Sequence, residues 1–560
     1  MKYTGAEILT RSLLQEKVEV IFGYPGGANM PIYDALYFYG KKFRHILVRH
    51  EQGAAHAAEG YARVTGKPGV CLVTSGPGAT NLVTGIADAM MDSVPMVCIT
   101  GQVAAEFLGS DAFQEADVVG ITTPITKWNC QLTHAEEIPE AIAKAFYIAS
   151  HGRPGPVVID ITKNAQFEKA EFKYPKNFYV KKLKTVNKFN SGDIKKAAEI
   201  INKAKKPLML VGHGVLISKA EKEVLQVIEK TGMVAASTLH GLSSIPFDHP
   251  LYVGMIGMHG NYSPNKLTNS ADVILAVGMR FDDRVTGKLS EYVPKAKVIH
   301  IDIDESEHHK NVRAHFPLLG NVKDVLKSLM PYLKKNNHDE WLGDFKELDK
   351  KELEFEKIRQ QKNKNKITMN VVLSLLSEKT KNEAVIVADV GQNQMFSARY
   401  YKYKNPDSYI TSGGLGTMGF ALPATMGAKV GAPKRLVFAV IGDGGFQMTI
   451  QELGTIMQEK MPIKILLLNN EYLGMVRQWQ QLFFEKRYSF THMQNPDFIN
   501  IAKSYGIKGE QVMERKKLEI ALDRFINFQG PYLLEVKVEK EDNIFPMVAT
   551  GTSVDDVRLE

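Results

Sequence analysis

The sequence predicts an α/β protein made of doubly wound domains with mainly parallel sheets. Three observations carry this reading. Short, continuous β-branched runs recur along the chain, too apolar to face water on either side. Helical stretches lie between them. Glycine-rich turns follow some runs and lead into the next helical stretch. In chain order the runs are Val70–Thr74, Met96–Thr100, Pro156–Ile161, Leu208–Gly212, Val273–Val277, Val298–Ile303, Val385–Val390, Leu436–Ile441, Ile463–Leu468 and Leu533–Val538. Gly53–Thr65 and Thr80–Met91 are examples of the helical stretches.

Two segments break the pattern and read as connectors. Residues 171–188 (EFKYPKNFYVKKLKTVNK) are rich in Lys and aromatics without a period, and residues 346–366 (KELDKKELEFEKIRQQKNKNK) are heavily charged. The second suits a solvated helix leading into a coil. These cuts predict domains over 1–170, 190–340 and 367–540, with a tail over 541–560. No sequence repeat relates the three pieces, although a shared topology would escape that test.

Composition narrows the class. The 560 residues are 44% hydrophobic and 24% charged, which excludes disorder as the main state and allows large cores. Cys71, Cys98 and Cys130 form no CxxC and are odd in number, so a disulfide scaffold is excluded and a reducing compartment favoured. Apolar runs such as Leu436–Ile441 and Ile465–Leu468 are too short to span a bilayer. The N-terminus (Met1-Lys2-Tyr3-Thr4-Gly5-Ala6-Glu7) has no signal-peptide core, and a cytoplasmic location is expected. The net charge of +8 is diluted over the chain, without a stripe of Arg, Lys and aromatics, so neither nucleic acid nor membrane is an expected partner.

Several short patterns could carry chemistry. Gly23-Tyr24-Pro25-Gly26-Gly27 and Ser75-Gly76-Pro77-Gly78 could bring backbone N–H groups close to a ligand, or could be plain strand-to-helix turns. No GxxxxGK[ST] is present, which excludes a P-loop NTPase. Gly212-His213-Gly214 is a mere fragment of a dinucleotide fingerprint. In His50-Glu51-Gln52-Gly53-Ala54-Ala55-His56 the histidine offset is wrong for a zinc pair. Glu51 stands where a strand meets an Ala/Gly-rich helix: either a charge favourable to the helix dipole, or a buried carboxyl with a raised pKa and a part in proton transfer. The strongest signal is Gly442-Asp443-Gly444-Gly445 after one run and Asn469-Asn470 after the next. The 27 positions from Asp443 to Asn470 accommodate one strand–helix–strand unit. Both polar ends then emerge at the same carboxyl edge of a sheet, where a carboxylate, an amide oxygen and a backbone carbonyl suit Mg²⁺.

GDG followed by NN at this spacing, with Glu51 after an RHE-type strand end, resembles the thiamine-diphosphate enzymes over essentially the whole chain. Four stretches carry a narrower resemblance to the FAD-containing acetohydroxyacid (acetolactate) synthase family: Asp111–Glu115 (DAFQE), Met279–Gly287 (MRFDDRVTG), Thr411–Gly419 (TSGGLGTMG) and Gly474–Gln480 (GMVRQWQ). The resemblance implies pyrimidine-binding, central FAD-associated and diphosphate-binding domains. It also implies decarboxylation of pyruvate on thiamine diphosphate and ligation of the hydroxyethyl enamine to a second pyruvate or to 2-oxobutyrate. That reaction opens branched-chain amino-acid biosynthesis.

Site residues are implied position by position. Glu51 would hydrogen-bond the aminopyrimidine N1′ from a dry, Ala/Gly-lined pocket, with Gly27, Gln114 and Lys163 as further catalytic positions. Phe113, Arg284 and Trp479 would meet substrate; Arg284 would receive the second oxo acid's carboxylate and Trp479 favour the extra methyl of 2-oxobutyrate. Thiamine diphosphate would lie against Gly391, Gln392, Asn393, Gly416, Met418, Gly442, Asp443, Gly444, Gly445, Asn470, Tyr472, Gly474, Met475 and Val476. Mg²⁺ would bind Asp443, Asn470 and the Tyr472 carbonyl. FAD would meet Arg153, Thr238, Leu239, Met258, His259, Gly278, Arg280, Asp302 and Asn321. Residues 102–108 (QVAAEFL) depart from the family's Pro-containing stretch, with Ala104 at the Pro position. A homodimer or tetramer and a small regulatory subunit are the implied partners, with small 2-oxo acids as substrates.

Overall fold

A computed structural model of the chain describes residues 1–39, 42–175 and 187–560. It contains three six-stranded sheets, each parallel throughout. All ten runs read from the sequence are strands of these sheets, with ends shifted by one or two residues. The connector expected over 171–188 falls largely outside the described residues. The second contains most of a helix, Asp339–Lys362, anchored by buried Trp341 and Phe345 and otherwise largely exposed.

Strand order separates the sheets into two kinds. In the N-terminal and C-terminal sheets the strands, numbered in chain order within each, lie 2-1-3-4-6-5. In the central sheet they lie 3-2-1-4-5-6, the dinucleotide-binding order, with its switch point between Pro207–Val211 and Val273–Val277. The shared order of the outer sheets is a topological repeat with no sequence counterpart.

The outer domains meet through two helices of small residues, Glu51–Thr65 and Ala421–Gly431. A Cβ on Gly60 would stand 2.0 Å from Ala424 O, and one on Gly427 only 1.7 Å from Ala57 O. Backbones this close require glycine, and the flanking Ala54, Ala57, Ala58, Ala424 and Ala428 fill the rest of the seam. The Ala/Gly-rich run after Glu51 is therefore spent on domain packing. Glu51, at the start of this helix, is half-buried in the single chain.

Polar groups are enclosed in this seam. His56 Nδ1 lies 2.9 Å from Glu59 Oε1, and Ser412 Oγ donates to Asp88 Oδ1 at 2.6 Å, all fully buried. Burial, then the neighbouring Glu59 and Asp92 charges, push the Asp88 carboxyl up to about 8, with His56 and Ser412 opposing. The unfolded carboxyl ionises near 3.9. Between these values the folded chain holds a proton that the unfolded chain has released, so stability declines as pH rises from about 4 to about 8. Asp88→Asn should flatten that decline in thermal melts; an unchanged slope would contradict the assignment.

Candidate active site

Four segments converge at the carboxyl edge of the N-terminal sheet. The strand Arg44–Leu47 leads to His50, whose Nδ1 accepts from Gln52 N at 3.2 Å and caps the helix beginning at Glu51. The Glu51 carboxylate accepts a 2.9 Å hydrogen bond from Asn81 Nδ2. Beside it runs the turn Ser75–Gly78; a Cβ on Gly78 would lie 3.5 Å from Glu51 Oε1. The backbone of Gln114 packs on the same turn, 2.8 Å from where a Gly76 Cβ would be. Ala28 N donates to Thr74 Oγ1 at 3.2 Å, which brings the Gly26–Gly27 turn alongside, with Gly27 facing open space. Glu51, Gly27 and Gln114 are thus gathered around residues 74–78. Lys163 is exposed at the start of the short helix Lys163–Phe167, and Phe113 is 88% exposed in the loop before Gln114.

A second constellation forms at the corresponding edge of the C-terminal sheet. Val437–Gly442 and Lys464–Asn469 are adjacent parallel strands with Gly442 opposite Leu468, so Asp443 and Asn470 leave the sheet side by side. Asp443 is 1% exposed. Burial pushes its carboxyl up, opposed by a 2.7 Å hydrogen bond from Asn495 Nδ2 and by backbone N–H groups at 443 and 470. Asn470 Nδ2 donates to Gln392 Oε1 at 3.3 Å, while its Oδ1 accepts from Tyr472 N at 3.1 Å. Gln392 opens the helix Gln392–Tyr400 after Gly391, and Asn393 Nδ2 ties that helix to Asp389 O and Val440 O. Gly474 begins Gly474–Phe483, and a Cβ there would stand 2.2 Å from Gln392 Oε1 and 2.7 Å from Asn470 Nδ2, so a side chain would displace both amides. Met418 Cε approaches Gly444, Gly445 packs on Asp389, Met475 is half-buried, and Val476 and Gly416 are exposed. The oxygens of Asp443, Asn470 and Tyr472, without His or Cys, make a donor set for a hard cation.

The central sheet opens a third site at its switch point. Gly212–Gly214 and Gly278–Arg280 follow the two strands there, and Gly214 N donates to Gly278 O at 3.0 Å. Gly278 has φ +57°, and a Cβ on it would lie 2.6 Å from Gly214 Cα. The cleft above is lined by Arg153, Thr238, Gly278, Arg280, Asp302 and Asn321 among others. Arg153 is held by Glu307 at 2.8 Å and Asp304 at 3.4 Å. Burial pushes the Asp302 carboxyl up to about 7, against the Asp304 N–H and Arg153. Leu239, Met258 and His259 lie outside that lining. Burial and the nearby Arg399 and Arg284 charges push the His259 imidazole down to about 3.

Arg284 follows Asp282, which accepts from Arg284 N at 3.0 Å and caps the turn Asp283–Thr286. Its guanidinium is more than half exposed, reaching Thr550 Oγ1 at 3.3 Å, Met258 Sδ at 3.8 Å and Asp283 at 3.6 Å. Trp479 is half-buried and rests against Phe483, ring centres 5.3 Å apart. Residues 541–560 join the two: Gln478 Nε2 donates to Ile544 O at 3.1 Å, and Val548 N to Met258 O at 2.8 Å.

Two site residues carry no sequence signal. Asn495 bridges Asp443 Oδ2 and Asn469 Oδ1 from a segment without motif, and Asn81 holds Glu51. Gly212-His213-Gly214, given little weight in the sequence, stands at the cleft's centre.

Three family descriptions match this chain: the thiamine pyrophosphate enzyme N-terminal TPP-binding domain over residues 3–121, the central domain over 194–329, and the C-terminal TPP-binding domain over 389–536. The chain therefore belongs to the thiamine pyrophosphate enzymes. It is 44% identical over 550 residues to the acetolactate synthase isozyme 2 large subunit of Escherichia coli (strain K12), covering 98% of each chain. It is 43% identical to the acetolactate synthase large subunit of Corynebacterium glutamicum, covering 100% of this chain and 90% of that one. It is 45% identical to the probable acetolactate synthase large subunit of Methanocaldococcus jannaschii, covering 98% and 94%. Within the thiamine enzymes, it belongs to the acetolactate synthase large-subunit family. Among the described residues no helix is long and apolar enough to cross a membrane.

Asn495→Leu removes the donor that orients Asp443 and should weaken thiamine diphosphate binding by about tenfold in titration calorimetry with Mg²⁺. Wild-type affinity would show that Asp443 needs no such support.

Proposed function

We propose that this chain is an acetolactate synthase catalytic subunit that decarboxylates pyruvate and joins the two-carbon unit to a second pyruvate or to 2-oxobutyrate. The products are 2-acetolactate and 2-aceto-2-hydroxybutyrate, and the reaction opens valine, leucine and isoleucine biosynthesis. The observation that carries the reading is the Asp443–Asn470–Tyr472 donor set beside the Gly444 and Gly474 approaches, in a chain alike over its full length to acetolactate synthases.

The residues fit the implied groups. Asp443, Asn470 and the Tyr472 carbonyl would hold Mg²⁺, with Gly391, Gln392, Asn393, Gly442, Gly444, Gly445, Gly474, Met475 and Val476 around the diphosphate. Gly416 and Met418 would support the cofactor's bent form. Thiamine diphosphate, when bound, supplies an electron sink for the charge left by decarboxylation. Glu51 would hydrogen-bond the aminopyrimidine N1′ and hold its proton, with Asn81 Nδ2 donating to the Glu51 carboxylate. Gly27, Gln114 and Lys163 would be further catalytic positions, and Phe113 would meet substrate. Arg284 offers a planar fork to the second oxo acid's carboxylate, and Trp479 an apolar face to its methyl. The glycine cradle with Arg153 and Arg280 suits the phosphates of FAD, which would act structurally in the central cleft. Leu239, Met258 and His259 extend that site toward Arg284.

The half-buried Glu51 would be covered by the diphosphate-binding domain of a second copy, making a homodimer the minimum active unit. A small regulatory subunit is a further partner, since the relatives are named large subunits. We assign the chain to the cytoplasm, without nucleic-acid or membrane partners.

The test is an assay of purified chain with pyruvate, with and without 2-oxobutyrate, in thiamine diphosphate, Mg²⁺ and FAD. Acetolactate without oxygen uptake is expected; oxygen-dependent acetate formation would overturn the reading. Glu51→Gln should keep cofactor affinity while kcat falls by about 10²–10⁴; near-normal turnover would remove its role. Trp479→Leu should shift competition toward pyruvate by about tenfold, within the 1–3 kcal/mol that one methylene contributes. An unaltered product ratio would refute that pocket.

A further inference from the structure

The segment that carries Glu51 is gripped by the other end of the chain. Leu47–His50 joins the strand Arg44–Leu47 to the Glu51 helix. Glu452, from the C-terminal domain, turns its carboxylate onto this joint. Its Oε1 accepts from Arg49 N and His50 N, both at 3.0 Å, and its Oε2 from Arg49 N at 3.2 Å and Thr455 Oγ1 at 2.7 Å. Nearby, Thr455 Oγ1 lies 3.1 Å from Leu47 O, and Arg49 reaches Gly454 O and Gln458 Oε1.

This arrangement is a capping box completed from another domain. In the usual box a Glu at the third helical position reaches back to the N–H of the capping residue. Here the cap is His50 and the third position is Gly53, which has no side chain to do so. Glu452 occupies that place instead: a Cβ on Gly53 would come within 2.5 Å of its Oε1. The carboxylate is fully buried, and burial pushes its pKa up to about 7 despite the hydrogen bonds from Thr455, Arg49 and His50. No step assigned above uses it.

We propose that Glu452 is a positioning residue for the reaction, fixing the His50 backbone from the C-terminal domain so that the Glu51 carboxylate reaches its bonding atom. This rests on the role given to Glu51. The bond to the backbone N–H groups does the positioning, not the carboxylate's charge. Small displacements at this joint are amplified at the tip of Glu51, and misplacements of about 1 Å can cost about 10²-fold in rate.

The experiment measures deuterium exchange at C2 of thiamine diphosphate bound to the full-length enzyme with Mg²⁺, without pyruvate, by acid quench and NMR. Glu452→Ala should slow exchange and kcat together by about tenfold or more, with the KM for pyruvate and cofactor affinity within about threefold of wild type. Glu452→Gln keeps an oxygen that can accept both N–H groups and should restore exchange to within about threefold. Gly53→Ala displaces the carboxylate without altering Glu452 and should reproduce the Ala defect, which carries the test where Glu452→Ala does not fold. Wild-type exchange in folded Glu452→Ala or Gly53→Ala overturns the proposal, as does a Gln variant as slow as Ala. Glu51→Gln, run alongside, separates the failures. If it exchanges at the wild-type rate, the role of Glu51 falls; if it alone is slow, only the positioning by Glu452 falls.

Discussion

Asp92 closes the helix Val83–Asp92, and its buried carboxylate meets groups from all three domains. Arg63 of the N-terminal domain donates to Oδ2 at 2.8 Å, and His240 Nε2 of the central domain lies 3.1 Å from the same oxygen. The backbone N–H groups of Gly413 and Gly414, from the C-terminal domain, reach it at 2.9 and 2.7 Å. Burial alone would raise this carboxyl, but His240, Arg63 and Gly413 hold it well below the usual range. A group depressed in this way adds stability above its unfolded pKa and loses it as pH falls through the folded value. Breaking a buried charge pair of this kind costs about 3–5 kcal/mol, because the partner is left unmatched.

The same contact sets the geometry of two sites. Gly413 and Gly414 begin the loop that carries Gly416 and Met418 to the diphosphate edge, while Asp92 and His240 form part of the wall of the central cleft. His213, the middle residue of the Gly212–Gly214 turn at the switch point, places Nδ1 3.2 Å from Asp92 O and stacks on His240. The cleft and the cofactor loop therefore share one electrostatic anchor.

The sequence was most legible where chemistry is local and burial is complete. Central strands such as Val273–Val277 and Val437–Gly442 are apolar on both faces and announce themselves. Edge strands such as Trp128–Leu132, Phe316–Leu319 and Lys508–Val512 are only partly buried, and no such run marks them. Asp443 and Asn470 were legible because one strand–helix–strand unit fixes their spacing. Asn495 and Glu452 were not, because each is a single polar residue whose partner lies far along the chain, 403 positions away between Glu452 and Arg49. The packing partner of the Ala/Gly-rich helix is hidden for a related reason. Small residues signal close approach, but only the fold says to what, and here it is Ala421–Gly431. Arg284 and Trp479 were singled out through family resemblance alone; nothing in their local pattern separates them from surface residues.

The two residues proposed to meet the second oxo acid are linked through the last segment of the chain. Arg284 belongs to the central domain and Trp479 to the C-terminal one, and residues 541–560 run between them. The tail pairs with Gln478 at Ile544, passes Met258 at Val548, reaches Arg284 at Thr550 and bridges to Gly287 at Ser553. Lys266 and Asn269 then hold its far turn at Asp555 and Ser553. The charge that would receive a carboxylate and the indole that would receive a methyl are thus set against each other by a strap attached to both domains. Discrimination between acceptors differing by one methylene requires their separation to be fixed, since only about 1–3 kcal/mol is available from that group. A strap tied to both domains by hydrogen bonds meets that requirement.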